Sequence, residues 1–227
     1  KNQHAHKIIV AGGTGYLGGH IIEKLKAISH PFSAIARTPK KLYDLGLNPH
    51  EIITAEVTEP KSLIGRLGEA HTVISTVGIT RQKDGLSYMD VDYQANVNLL
   101  QEAIKAGVKK FVYVSVLNGQ HHRDLKILEA KEKFVDLLKS SGLDYIVVRP
   151  NGFFSDMADF LEMALGGRVY LFGDGNKKVN PMHGADLANV ILDELYQANV
   201  EIEVGGPDIL THNEIAELAL TLFAKRK

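Results

Sequence analysis

The segment Lys7 to His20, KIIVAGGTGYLGGH, constrains the chain more than any other. Ile8, Ile9, Val10 and Ala11 run without alternation into glycines. A continuous apolar run ended by glycine predicts a strand buried on both faces, the kind found in parallel sheets. Beyond the glycines, Leu17, Ile21, Ile22 and Leu25 recur at helical spacing. The segment therefore reads as strand, tight turn and helix. Gly12, Gly15 and Gly18 stand across the turn at G-x-x-G-x-x-G spacing. Gly12 permits the sharp exit from the strand. Gly15 leaves the backbone open to a pyrophosphate, and Gly18 lets the helix pack closely. A helix start offers unpaired N–H groups and partial positive charge to phosphates. A bare glycine-rich turn is the plain alternative, but three glycines are a costly way to build one. The expected ligand is a dinucleotide, with Thr14, Tyr16 and Leu17 joining the glycines around it.

Composition narrows the class. The 227 residues suit one α/β domain, 44% of them hydrophobic. A net charge of -1 gives no sign of a nucleic-acid partner. The chain has no cysteine, which removes disulfides, thiolate metal sites and cysteine nucleophiles; no metal is expected. No apolar run reaches the ~20 residues that cross a bilayer, and no signal peptide is visible, so neither membrane insertion nor export is expected. The expected setting is cytoplasmic. The chain ends in AKRK directly after an apolar helix, which leaves room for residues beyond 227.

The next strands are expected at 32–36, 50–54, 72–77, 109–115 and 143–148, alternating with helices. This alternation predicts a doubly wound parallel sheet in the order 3-2-1-4-5-6. Arg37 follows strand two, with Thr38, Lys40 and Lys41 behind it and no acid at the strand end. An acid there would bind the ribose hydroxyls, whereas arginine accommodates a 2′-phosphate, so NADP(H) is expected over NAD(H). Pro60, Leu63, Ile64 and Leu67 predict a helix after strand three. Residues 79–87 read as a polar loop carrying Arg81 and Lys83. Residues 89–106 read as one amphipathic helix whose apolar face holds Val91, Ala95, Leu99, Ala103 and Ala106. His121 and His122 read as loose surface histidines.

Three stretches carry a family resemblance. AGGTGYLGGHII, VDYQANVNLLQEAIKAGVKKFVYVS and RPNGFF are similar to the short-chain dehydrogenase/reductase superfamily in its extended and atypical branches. The resemblance implies that Glu56 and Val57 lie along the adenine. It places Thr76, Val77 and Gly78 beneath the cofactor, and Ser115 at the substrate or nicotinamide amide, with a plain strand-end hydroxyl as the equal alternative. Pro150, Gly152 and Phe153 would line the nicotinamide. Phe153, Phe154 and His183 would border a substrate pocket built from residues 151–227 within the same domain. Asp186 reads as an N-cap.

Ordinary members carry Tyr-x-x-x-Lys on the next helix, where the ammonium lowers the phenol pKa for proton exchange. Here Lys131 stands at the lysine position and Ile127 at the tyrosine position. This departure resembles the NmrA-like regulators and the isoflavone-reductase-like enzymes. Lys131 is the candidate for ribose binding and, with Ser115, for catalysis. Three functions follow in order: an NADP(H)-dependent reductase of a small carbonyl, enone or quinone; a non-catalytic NADP(H) sensor or assembly factor with a protein partner; and a nucleotide-sugar epimerase or dehydratase.

Overall fold

The computed structural model describes residues 6–79, 85–153, 163–169, 171 and 173–224. Its main sheet has seven strands. They are β1 (Ile8–Ala11), β2 (Phe32–Ala36), β3 (Ile52–Thr54), β4 (Thr72–Ser75), β5 (Lys110–Val114), β6 (Asp144–Pro150) and β8 (Val200–Val204). The order is β3-β2-β1-β4-β5-β6-β8, and every pairing is parallel. The expected six-strand order is thus present, and β8 extends it beyond β6. A two-stranded antiparallel sheet, β7 (Lys178–Val179) with β9 (Leu210–Thr211), lies in the last third of the chain.

The helices are α1 (Tyr16–Ala27), α2 (Lys40–Asp44), α3 (Pro60–Leu63), α4 (Asn96–Lys105), α5 (Lys126–Lys139), α6 (Gly184–Asp193) and α7 (His212–Ala224). Successive side chains of a strand point to opposite faces, and each face is covered. Ile9, Val73, Phe111, Tyr113 and Val147 pack with Leu99, Phe134 and Leu138 from α4 and α5. Ile8, Val10, Ile74, Val112 and Ile146 pack with Ile21 and Ile22 of α1 and Leu187 of α6. Burial on both faces is why these strands read as apolar runs without alternation.

Several boundaries move. Strand four ends at Ser75 instead of 77, which frees residues 76–78 as irregular backbone above the sheet. The helix after strand three is only four residues long, because Ile64 turns outward at 65% exposure while Leu63 and Leu67 stay buried. The helix expected over 89–106 begins as a π-helix, Met89–Ala95, before it becomes α4. A π turn holds more residues per turn and rotates the side chains that follow. Ala95, Leu99 and Ala103 keep the expected burial, but Asp92 turns fully inward beside them. The helix expected near 156–165 lies largely outside the described residues, as do Arg81, Lys83 and Phe154.

Candidate functional site

The glycine turn is tight. Gly12 has φ +84°, and a Cβ there would stand 2.4 Å from Oγ1 of Thr76. That hydroxyl lies 3.2 Å from the Ala11 carbonyl and 3.3 Å from that of Gly12. A Cβ on Gly18 would stand 2.1 Å from the Gly12 carbonyl oxygen. Both glycines are therefore demanded by close backbone approach. Gly15 is the N-cap of α1 and supplies no side-chain cap, and the first turn of α1 holds no acid. The helix thus begins with uncapped N–H groups beside exposed Thr14 and Tyr16, a cradle suited to phosphate. A groove of about 260 Å³ runs along Gly13, Thr14 and Gly15, with Lys41 and Asp44 on its far wall. Leu17 is buried under the turn.

Arg37 and Thr38 are exposed at the end of β2. The Glu56 carboxylate, from the chain leaving β3, comes to 3.8 Å from Arg37. The same carboxylate accepts the Thr58 N–H at 3.2 Å. Val57 is half-buried, and its carbonyl accepts from Asn98 at 3.0 Å. An acid absent from the end of β2 is thus supplied by the neighbouring strand.

On the other side of the turn, Thr76, Val77 and Gly78 lead away from β4. Gly78 is exposed, and a Cβ on it would stand 2.7 Å from Oδ1 of Asp92 and 2.9 Å from Nζ of Lys131. Lys131 Nζ lies 2.8 Å from Asp92 Oδ1; the lysine is 12% exposed and the aspartate fully buried. Asp92 Oδ2 accepts the Ile79 N–H at 3.1 Å. Asn96, buried next along this helix, accepts from Ser75 at 2.5 Å and donates to the Val77 and Asp92 carbonyls. Beneath them the fully buried Tyr113 sits with its ring centroid 5.7 Å from Lys131 Nζ. Its hydroxyl has no hydrogen-bond partner of good geometry among the described residues. Burial pushes the Tyr113 phenol up to about 12, against the pull of the Lys131 charge. Burial also works against the Lys131 ammonium, but Tyr113 and Asp92 outweigh it and hold its pKa above the ordinary lysine value. The Asp92 carboxylate at 2.8 Å thus holds Lys131 as an ammonium.

Sequence reasoning located Lys131 and missed Asp92 and Tyr113. The available signal was the pair Asp92 and Asn96, four residues apart and adjoining the apolar stripe, where they share one helical face.

Ser115 is 3% exposed, and its hydroxyl donates to Glu132 at 3.3 Å. Glu132 pairs with Arg149 at 2.5 Å, Arg149 with Glu201 at 2.6 Å, and Glu201 with Lys139. Arg149 also donates to the Val116 carbonyl at 3.1 Å. Arg149 thus joins β6 to α5 and β8, beyond the strand-end carbonyls expected for it. The Ser115 hydroxyl thus belongs to this buried charged network.

The segment after β6 borders the other rim. The buried Pro150 carbonyl accepts from Leu117 at 3.0 Å, and Gly152 accepts from Met182 at 3.0 Å. The Phe153 ring meets Tyr16 edge-on, with centroids 5.4 Å apart. Tyr16 accepts the Gly184 N–H through its hydroxyl at 3.1 Å. The expected N-cap at Asp186 is corrected: His183 caps α6, its Nδ1 accepting from Ala185 at 3.1 Å, and Asp186 falls within the first turn, three residues after the cap. His183 is exposed and packs 5.0 Å from His20. Ile127, half-buried, occupies the place of the usual tyrosine, and His121 and His122 are exposed. Among the described residues no three His, Asp or Glu side chains converge as metal ligands, and no helix is long and apolar enough to cross a membrane.

Comparison with known proteins agrees with this geometry. Residues 12–198 match a family model described as NAD(P)H-binding. The chain is 29% identical to a chloroplastic divinyl chlorophyllide a 8-vinyl-reductase of Zea mays, over 96% of this chain and 59% of that protein. It is also 29% identical to the photosystem II assembly factor Ycf39 of Guillardia theta, over 66% of this chain and 48% of that protein. The chain thus spans about half to three-fifths of the length of these relatives. Among solved structures it superposes on an NADPH-dependent quinone oxidoreductase of Escherichia coli, solved with NADPH. That match has a TM-score of 0.81 at 22% identity and covers 96% of this chain and 75% of that one. A UDP-glucose 4-epimerase of Thermotoga maritima gives a TM-score of 0.79 at 20% identity, covering 97% and 84%. The glycine turn, the parallel sheet and the sequence match agree: the chain belongs to the NAD(P)H-binding family.

Proposed function

We propose that the chain binds NADPH in preference to NADH and reduces a small carbonyl, enone or quinone. The cofactor phosphates would lie on the N–H groups of Thr14 and Tyr16 beside Gly15, and Arg37, Thr38 and Lys41 would receive the 2′-phosphate. Glu56 and Val57 would flank the adenine, and the nicotinamide half would run over Gly78 towards Pro150, Gly152 and Phe153. The bound cofactor supplies hydride; the protein must supply the proton.

The observation that carries this reading is Lys131, a charged lysine held against Asp92 at Gly78. Ile127 cannot donate a proton, and Tyr113 is buried away from any ligand. The Lys131 ammonium is the donor that borders Gly78, and it would also hold the ribose. Ser115 would accept from the carboxamide, and Phe153, Phe154 and His183 would border the substrate within the 151–227 region. The likeness to a vinyl reductase favours an activated carbon–carbon double bond within this substrate class. The cytoplasmic setting is part of this proposal, and cell fractionation tests it.

A second reading has its own support. The absent phenol and the likeness to Ycf39 favour an NADP(H)-binding assembly factor that engages a protein partner. An epimerase or dehydratase ranks third, since those enzymes depend on that phenol. NADPH and NADH titration by cofactor fluorescence, followed by quinone and enone turnover with wild type and Lys131→Ala, separates the readings. Turnover lost in Lys131→Ala supports the reductase. Tight NADPH binding without turnover, and with NADPH-dependent partner capture, supports the assembly factor.

A further inference from the structure

Asp92 is a fully buried carboxylate at the mouth of a ligand site. Burying a charge is costly unless it is paired, and Lys131 at 2.8 Å is its partner. Both groups pack against exposed Gly78, where a Cβ would touch them, so a ring laid over Gly78 would lie near both charges without touching the fully buried carboxylate. Tyr113 below is neutral at ordinary pH, and the Glu132 carboxylate, also on α5, is balanced by Arg149 of β6. The local balance is therefore one negative and one positive charge.

We propose that Asp92 is a positioning residue that keeps Lys131 charged as proton donor and, once the proton has left, becomes the counter-ion of the oxidised nicotinamide. This rests on the cofactor reading given above. Reduction of a double bond takes one hydride, with its electron pair, from NADPH and one proton from Nζ of Lys131. Before the step the charges are minus on Asp92, plus on Lys131 and zero on the nicotinamide. After it they are minus on Asp92, zero on Lys131 and plus on the nicotinamide. The site is neutral at both ends of the reaction, so no uncompensated charge is left beside the buried Asp92. The same pair sets how the site discriminates NADP⁺ from NADPH, which serves a reductase and a redox-responsive binder alike.

The test is equilibrium binding of NADP⁺ and NADPH to wild type, Asp92→Asn, Lys131→Met and the double variant, by titration calorimetry at about pH 8. Asp92→Asn leaves the Lys131 charge unbalanced, so NADP⁺ should weaken relative to NADPH by roughly tenfold, the effect of one charge in a medium of intermediate dielectric. Lys131→Met leaves the Asp92 charge unbalanced and should shift the ratio the other way. The double variant should return near the wild-type ratio. A merely structural pair would weaken both cofactor forms together. Shifts of the same sign in the two single variants, or an unchanged ratio in Asp92→Asn, would overturn the proposal. Each single variant carries a signed expectation, so either suffices if the other does not fold. Failure of wild type to bind either form would instead overturn the cofactor reading on which the proposal rests.

Discussion

The Arg37 guanidinium, at the end of β2, meets the Glu56 carboxylate from the end of β3 at 3.8 Å. The pair sits where the adenosine ribose of a dinucleotide would lie, and it sets two opposed preferences side by side. Arg37 favours a 2′-phosphate. Glu56 repels one and partly neutralises the arginine.

Glu56→Gln should therefore raise the preference for NADPH over NADH, and Arg37→Ala should lower it. The arginine is 61% exposed, so the pair is screened and each change is expected to be worth about threefold to tenfold. Fluorescence titration with both cofactors checks this, and equal affinities in all three proteins would remove Arg37 as the determinant.

Gly18→Ala should disable the cradle. Its Cβ would sit 2.1 Å from the Gly12 carbonyl oxygen, a backbone atom that can move only if the turn moves. Loss of about 1–3 kcal/mol of stability is expected, together with loss of cofactor binding. Gly152→Ala is the control. A Cβ there meets nothing within 4 Å, and its stability should stay within about 0.5 kcal/mol of wild type. Denaturant titration measures both.

Arg149→Met should be among the most damaging single changes. It strips Glu132, which is fully buried, of its cationic partner and also removes one of the two cations on Glu201. Breaking such a buried pair costs about 3–5 kcal/mol. Adding Glu132→Gln should restore part of the loss, which a double-mutant cycle in urea would read directly.

Stability should fall on the acid side in two stages. Burial, aided by His6 and Lys110, holds the His71 pKa below its ordinary 6.5. The folded state thus resists a proton that the unfolded chain accepts. The contribution is full above about pH 6.5 and is lost as the pH falls through the lowered folded value. Burial works against the Glu201 carboxylate, but hydrogen bonds from Lys139 and Arg149 outweigh it and lower its pKa below 4.5. Its contribution is present above that value and is lost as pH drops through the folded one. Melting temperatures between pH 8 and pH 3 should show both declines, and His71→Gln should flatten the first.

Local sequence determined a large part of this protein. β1, the glycine turn and α1 are contiguous. Their apolar run, glycine spacing and helical repeat state the fold and the cradle without reference to the rest of the chain. The strand order was legible because apolar runs of buried strands alternate with helical repeats, the pattern of a doubly wound parallel sheet. Tertiary structure alone decided the chemistry beside the cradle. Asp92, Tyr113 and Lys131 come from a π-helix, a central strand and another helix, and no spacing in the chain records that they meet. Helical spacing sets Asp92 on the face of Ala95 and Leu99, but only packing decides that its carboxylate meets Lys131. Glu56 reaches Arg37 only because β3 lies next to β2. His183, not Asp186, caps α6 because the cap depends on where the backbone enters the helix. Polar side chains that pair across elements leave no periodic signal, since their partners are set by packing and not by sequence distance.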